Sequence, residues 1–260
     1  MSWETIKVEV NKHVAKIVMN RPEILNAMGQ QMASELSACL RELEPNEDLR
    51  VLILTGAGRG FCTGADLRER DKMTPKQTGH HRATVLQCVD LLENFPVPTI
   101  AKVNGPAVAG GFETALACDI RVAAESAFFA LTETLHVGSF PGGGGPVRLP
   151  RLAGKGVAKL VVFTGRRFSA TEAQKLGFVE VVVPDNQLDA EIDLMTKQIV
   201  GNSPLGVRAA KIVINEGAEM HVKAATILSQ AFRNPLDYSK DYREGLTAWI
   251  EKRQAVFKGE

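Results

Sequence analysis

Neither sign of charge dominates this 260-residue sequence, in which Lys plus Arg number 31 against 30 for Asp plus Glu. A protein built to hold a nucleic-acid polyanion carries a basic surplus, so no nucleic-acid partner is expected. No apolar run approaches the ~20 residues that span a bilayer, so no membrane partner is expected either. The four cysteines, Cys39, Cys62, Cys88 and Cys118, lack CxxC spacing and lie among apolar residues. That argues against a disulfide frame or a zinc site and for reduced core residues of a cytosolic protein. The start, MSWETIKVEV, lacks a basic segment followed by an apolar one, so no secretory signal and a cytoplasmic location are expected. GxGxxG and GK[ST] are missing, as are internal repeats and low-complexity tracts; a nucleotide cradle of the common kinds is not indicated.

What is present is a chain with enough apolar residues, 45%, to bury a large core. Ile6, Val8 and Val10 alternate with polar residues, and Val14 to Met19 is again apolar-rich, which predicts a hairpin. Three- and four-residue spacing from Asn26 to Leu43 predicts an amphipathic helix. Val51 to Thr55, Val97 to Val103 and Asp119 to Ala123 read as buried strands, with helices between them, as in parallel βαβ units. Arg68 to His81 is charged and contains Pro75 and Gly79, so an irregular segment is expected there, with His80-His81 a solvated pair. Ser169 and Glu172 form a capping box before a helix to Leu176. Helical patterns also cover Val157 to Phe163, Leu188 to Val200, Leu205 to Glu216, Ala218 to Arg233 and Asp241 to Phe257. Asn202-Ser203-Pro204 looks like a boundary, giving a core domain over residues 1–202 and a helical region over residues 203–260.

Chemistry concentrates at four places. After the strand Val97 to Val103, the stretch GPAVAGGFETALACDIR opens a helix with Glu113 in its first turn. After VLILT comes CTGAD, Cys62 to Asp66. Two Gly-containing turns at strand ends can each offer a backbone N–H to one oxygen, the requirement of an oxyanion hole. Glu133, in Leu131-Thr132-Glu133-Thr134, can pair with Glu113 as acid and base. Four consecutive glycines, Gly142 to Gly145, cannot sit inside a regular element and imply a tight path or an amide-rich concavity. The bland readings are an acidic residue favoured by a helix dipole for Glu113, a surface residue for Glu133 and a helix cap for Asp66. Periodicity does not choose between these.

Five segments in order resemble the crotonase (enoyl-CoA hydratase/isomerase) superfamily along nearly the whole chain. They are NRPEILNAM, LTGAGRGFCTGADL, NGPAVAGGFETALACDIRVA, PGGGGPVRLPRLAGKGVAKLVVFTG and the EKRQAVFK tail. The resemblance implies an α/β fold, a spiral of ββα repeats with a C-terminal helical trimerisation region, assembled as a trimer or dimer of trimers. It implies an acyl-CoA thioester substrate and no further cofactor, coenzyme A being part of the substrate. The oxyanion-hole donors become the N–H groups of Ala65 and Gly110, and the catalytic pair Glu113 and Glu133, with Thr134 competing for the second place. Coenzyme A contacts map to Ile24, Leu25, Ala27, Thr63, Ala65, Asp66 and Leu67, and to Trp249 and Lys252 contributed to a neighbouring subunit. Leu131, His136, Phe140 and Gly142 line the implied acyl pocket. Pro146-Val147 replaces the commoner Thr-Gln, removing an N–H and a hydroxyl and suggesting a branched or cyclic acyl group. The implied reaction is hydration of a 2-enoyl-CoA to a 3-hydroxyacyl-CoA. Alternatives are an enoyl-CoA isomerase, a hydrolase of acyl-CoA or cyclic 2-oxoacyl-CoA, or a module that binds acyl-CoA or RNA without catalysis.

Overall fold

Alternation of buried and half-buried positions sets the first sheet. In the computed structural model, which describes residues 3–260, β1 (Ile6–Asn11) and β2 (Val14–Met19) form an antiparallel hairpin. Ala15, Ile17 and Met19 of β2 turn their side chains into the core while Lys16 and Val18 face the other way, as period-two pleating requires. A helix follows, α1 (Gln30–Leu43), burying Met32, Leu36, Cys39, Leu40 and Leu43 along one face. It starts later than Asn26, because Leu25 and Asn26 are in left-handed conformations (φ 52° and 58°) that end the preceding turn.

β3 (Val51–Gly56) is buried along its whole length, as an inner parallel strand must be. Next come a short α2 (Leu67–Arg70) and a long α3 (Pro75–Glu93). The expected irregular stretch from Arg68 to His81 is therefore helical except at Asp71 to Thr74, between the two helices. Thr74 and Gln77 close a capping box, and Pro75 sits in the first turn, where its missing N–H costs nothing. His81 is fully buried, so only His80 of the pair meets solvent.

The chain continues through β4 (Thr99–Val103), β5 (Ala107–Val108), α4 (Gly110–Ala117), β6 (Ile120–Ala124), β7 (Phe128–Ala130), α5 (Glu133–His136) and α6 (Gly145–Thr164). β8 (Phe168–Ser169), α7 (Ala170–Leu176), β9 (Val181–Val183) and α8 (Leu188–Val200) follow. The main sheet has the order β1-β2-β3-β4-β6-β9 and is parallel beyond the first hairpin; a smaller sheet has the order β5-β7-β8. The last helices are α9 (Pro204–Gly217), α10 (Val222–Arg233) and α11 (Lys240–Glu251). α10 begins four residues after the predicted Ala218, and α11 ends at a left-handed Lys252 (φ 55°) rather than running to Phe257.

Contacts divide the chain into two compact units, one of the residues up to Phe95 with Thr99–Ile192, the other of Pro96–Pro98 with Asp193–Glu260. Every residue of the site below except Trp249 and Lys252 belongs to the first. Its centre is an aromatic cluster in which Phe112 lies 5.1 Å from Phe129 and 5.4 Å from Phe178, ring centre to ring centre. Phe112 precedes Glu113, so packing of that ring fixes the helix that carries the carboxylate. In the second unit, buried Asp241 accepts from the Ser203 hydroxyl (2.8 Å) and from the amides of Lys258 (2.8 Å) and Gly259 (3.1 Å), tying the tail to α9 and α11. The four cysteines are buried free thiols, as expected. No helix of the described residues is long and apolar enough to cross a membrane.

Candidate active site

α4 is apolar and buried on nearly all sides, so its ends are the only parts able to meet a ligand. Its first residue is Gly110, whose N–H has no partner within the helix. Ala109 before it adopts φ 52°, ψ −128°, a conformation that costs a non-glycine residue about 1–3 kcal/mol and clusters at functional sites. Parallel pairing holds this turn from both sides. Val108 N–H donates to Cys62 O (2.9 Å), and Ala109 N–H donates to Ala130 O (2.8 Å).

The turn after β3 meets it. A parallel bridge joins Met28 to Ala65, through Met28 N–H to Gly64 O (2.7 Å) and Asp66 N–H to Met28 O (3.1 Å). Ala65's own N–H takes no part in that bridge and points away from it. Gly64 (φ 83°) is packed so closely that a Cβ there would lie 2.8 Å from Gly110 N, and a Cβ on Gly110 would lie 3.9 Å from Ala65 N. Two amides 45 residues apart in sequence thus stand side by side.

Two asparagine-centred networks, one around buried Asn26 and one around half-buried Asn104, shape that turn, and motif spacing does not reveal them. Asn26 donates to Ala57 O (3.0 Å) and Gly60 O (2.8 Å) and accepts from Arg21 N–H (2.9 Å). Asn104 donates to Gly56 O (3.0 Å) and Gly58 O (2.9 Å). The Thr63 hydroxyl lies 3.4 Å from both Ile24 O and Leu25 O, so the residues proposed for coenzyme A, Ile24, Leu25 and Thr63, are neighbours. Ala27 O accepts from Arg21 (2.9 Å). Asp66 caps α2 through the amides of Arg68 (3.1 Å) and Glu69 (3.2 Å) and pairs with Arg21 (3.0 Å); Leu67 beside it is exposed. Trp249 and Lys252, at the end of α11, are exposed as well.

Glu113 is 2% exposed, and its Oε1 accepts from the amides of Gly143 and Gly145, each at 2.8 Å. Of the two readings of the glycine run, a tight path and an amide-rich concavity, the second describes it here, and what fills the concavity is a carboxylate of the chain. Burial pushes the Glu113 carboxyl above its ordinary value, opposed by those amides and by the Arg148 charge. Arg148 holds the loop from behind, donating to Gly143 O (3.1 Å) and to Glu93 (2.9 and 2.5 Å).

Glu133 opens α5. Burial pushes its carboxyl up to about 7, with the nearby Glu113 charge adding to the rise and Arg70 opposing it. Its Oε2 is buried with no hydrogen-bond partner. Thr134 is turned elsewhere, its hydroxyl donating to Val162 O (2.7 Å) and tying α5 to α6. Of the other acyl-pocket candidates, Leu131 is buried against Glu113 and Gly145, whereas His136, Phe140 and Gly142 are exposed. The charges of Arg148 beside Glu113 and Arg70 beside Glu133 have no signal in the sequence.

Separate segments of the chain thus bring two amides side by side, and two acidic side chains close enough for their charges to act on each other. A family model described as enoyl-CoA hydratase/isomerase matches residues 9–260. A Bacillus subtilis (strain 168) protein, YngF, whose name gives both hydratase and isomerase, is 42% identical over 250 residues, 96% of each chain. The enoyl-CoA isomerase/hydratase fer4 of Mycosarcoma maydis is 36% identical, over 95% of this chain and 93% of its own. Among solved structures, an enoyl-CoA hydratase from Bacillus anthracis superposes with a TM-score of 0.96 at 40% identity, covering 99% of this chain and all of that one. The chain has the crotonase fold and belongs to the enoyl-CoA hydratase/isomerase family.

Proposed function

We propose that this chain is an enoyl-CoA hydratase, adding water across the double bond of a 2-enoyl-CoA to give a 3-hydroxyacyl-CoA. The observation that carries this is a second, half-buried carboxylate, Glu133, whose Oε2 is buried without a hydrogen-bond partner and whose charge and that of Glu113 act on each other. In this reading the N–H groups of Ala65 and Gly110 hold the thioester oxygen and stabilise the enolate that forms at it. Glu113 acts as base. Its Oε1 is fixed by two amides, which leaves Oε2 to hold a water and take its proton as the oxygen attacks Cβ. Glu133, half protonated near neutrality, gives its proton to Cα. One water enters, one C–O and one C–H bond form, and proton transfer from Glu113 to Glu133 resets the pair.

Coenzyme A contacts at Ile24, Leu25, Ala27, Thr63, Ala65, Asp66 and Leu67 belong to the same proposal, as does a homo-oligomer in which Trp249 and Lys252 serve a neighbour. A cytoplasmic setting fits four reduced thiols. An isomerase needs a single carboxylate to shuttle a proton and leaves the second without work.

Crotonyl-CoA hydration in isotopically labelled water, followed by mass spectrometry, tests the assignment. Label is expected at the 3-hydroxyl, and Glu113→Gln and Glu133→Gln are each expected to lower kcat/KM by about 100-fold or more. Retained isomerisation of a 3-enoyl-CoA in Glu113→Gln, lost in Glu133→Gln, identifies an isomerase instead. Release of free coenzyme A identifies a hydrolase.

A further inference from the structure

Arg148 sits in the opening turn of α6, with only 12% of its side chain exposed, and its guanidinium is held from two sides. Nε and Nη2 donate to the two carboxylate oxygens of Glu93, at 2.9 and 2.5 Å, and Asp90 stands 3.6 Å from Nη2. Nη1 donates the other way, to Gly143 O at 3.1 Å. Glu93 is the last residue of α3, a helix rooted in the core by Cys88, Val89 and Leu92. The guanidinium therefore ties the glycine loop to α3, whereas Glu113 is carried by α4. Pairing of the planar fork with a carboxylate fixes the plane of the guanidinium as well as its place, which a point charge does not do.

What this tie controls is the orientation of neighbouring peptide groups. The amides of Gly143 and Gly145 reach one oxygen of Glu113 across Gly144, whose left-handed backbone (φ 102°) lets nearby amides face one anion. Arg148 takes both carbonyls of the same stretch. Its own N–H donates to Gly144 O at 2.9 Å, and its side chain donates to Gly143 O. The first bond is one that any residue but proline could make at this position; the second needs the side chain. A Cβ on Gly144 would fall 1.8 Å from Nη1, so the guanidinium fills the space that a side chain there would need. Four glycines in a row otherwise keep wide backbone freedom, and each residue fixed costs about 1–2 kcal/mol in entropy.

Two supports thus meet at one carboxylate. Glu113 comes from α4, fixed through Phe112 in the aromatic cluster. The amides that hold it come from a loop tied through Arg148 and Glu93 to α3. Because α3 packs on α4, the tie closes a ring: α4, Glu113, glycine loop, Arg148, Glu93, α3 and back to α4. Burial raises the Glu113 carboxyl, and the two amides and then the Arg148 charge oppose that rise. The geometry and the charge of Arg148 therefore act in the same direction, towards a fixed and ionised Glu113.

We propose that Arg148, anchored by Glu93, is the positioning residue of Glu113, holding the Gly143–Gly144 peptide so that both flanking amides stay on Oε1 and Oε2 faces the reacting proton. This rests on the reading of Glu113 as the base. Arg148 acts through the loop rather than on the substrate. Without it the amides drift from Oε1 and the carboxyl keeps its proton more tightly. A base works only when ionised, so the acid limb of the kcat profile then moves to higher pH.

Steady-state kinetics on crotonyl-CoA, from about pH 5 to about pH 9, compares the wild type with Arg148→Met, Arg148→Lys and Glu93→Gln. Arg148→Met is expected to lose on the order of 100-fold in kcat, the cost of a reacting group misplaced by about 1 Å, with KM changed less than about threefold. Its acid limb should lie about one pH unit higher. Arg148→Lys keeps the charge without the fork, so it should recover the limb and only part of kcat. Combining Glu93→Gln with Arg148→Met leaves no unpaired carboxylate and carries the test should the single variant fail to fold. Where both fold, equal losses are expected, and additive losses overturn the anchoring by Glu93. A raised KM at constant kcat makes Arg148 a substrate contact and overturns the proposal, as does a lowered kcat with the limb unmoved. The Glu113 carboxyl is also followed directly, by carbon NMR of isotope-labelled glutamate. A Glu133→Gln background is used, since Glu133 is raised to about 7 and the two charges act on each other. The resonance lost in Glu113→Gln identifies the group. Arg148→Met should raise its titration midpoint whether or not crotonyl-CoA is hydrated, and an unchanged midpoint overturns the positioning role. A wild type that leaves crotonyl-CoA unhydrated, with the midpoint raised in the variant, overturns the hydratase reading alone.

Discussion

Glu133 carries an energetic burden that its function requires. Its ordinary value is 4.5, and in the fold burial lifts it to about 7. A carboxyl with a raised native pKa binds its proton more tightly when folded, so folding stability is full below about 4.5 and declines as pH rises towards 7. Above about 7 the native state holds a charge whose Oε2 has no partner. Glu133→Gln keeps the shape and removes that charge. We expect its melting temperature to exceed the wild type's at pH 8, by an amount corresponding to about 1–2 kcal/mol once partial solvent access is allowed for, and the two to converge near pH 4.5. Scanning calorimetry at the two pH values decides it, and an equal difference at both would mean that the gain comes from packing rather than charge. The same substitution is expected to abolish most activity. A residue that destabilises its fold while enabling its reaction is what an acid held near neutrality requires.

At the scale of elements, the glycine loop leading into α6 decides where Glu113 points. A Cβ on Gly143 would lie 2.6 Å from Glu113 Oε2 and 3.0 Å from its Cδ, so Gly143→Ala must displace either the carboxylate or the loop. Misplacing a reacting group by about 1 Å costs on the order of 100-fold. That loss in kcat is expected with a stability change of only about 1 kcal/mol, measured by steady-state kinetics beside thermal denaturation. A crystal structure of the variant with Glu113 unmoved and kcat unchanged would remove the loop from the mechanism. The sequence pattern made this loop visible as a concavity, because four glycines exclude regular structure. It also made visible α1, β3 and the Ser169–Glu172 cap, whose signals lie within a few residues. The first half of α3 reads as irregular in the sequence although its own cap, Thr74 with Gln77, lies in plain view; Pro75 and Gly79 suggest a break where one is a first-turn residue and the other a tolerated interior one. The asparagines at 26 and 104, and the Arg70–His81 contact, depend on partners brought close only by folding. No local pattern encodes such pairs. The family resemblance located Glu113, Glu133, Ala65 and Gly110; geometry then supplied what holds each in place.

At the scale of the whole molecule, the C-terminal helices leave much apolar surface uncovered. Val222, Ile227, Trp249 and Ile250 are each at least 65% exposed, more than a solitary helical unit ordinarily leaves to water. The proposed homo-oligomer accounts for this, and it makes a specific demand on the site. If Lys252 of the partner subunit completes each coenzyme A site, then Glu113 and Lys252 of one chain serve different sites. Glu113→Gln lacks the base and Lys252→Ala lacks the neighbouring contact, so each variant alone is impaired, the second chiefly at low substrate. Dissociated, mixed in equal amounts and reassembled, they should recover activity. One site in about four then draws both wild-type residues, as random closed cyclic assembly dictates. Light scattering of the mixture should give a multiple of 28.2 kDa, and activity at low substrate should exceed the mean of the two parents. Reassembly without that excess would place both residues in one chain's site, and the coenzyme would have to be held by a single subunit. A monomer at all concentrations would leave the exposed face of α10 and α11 to some other partner and withdraw the oligomer altogether.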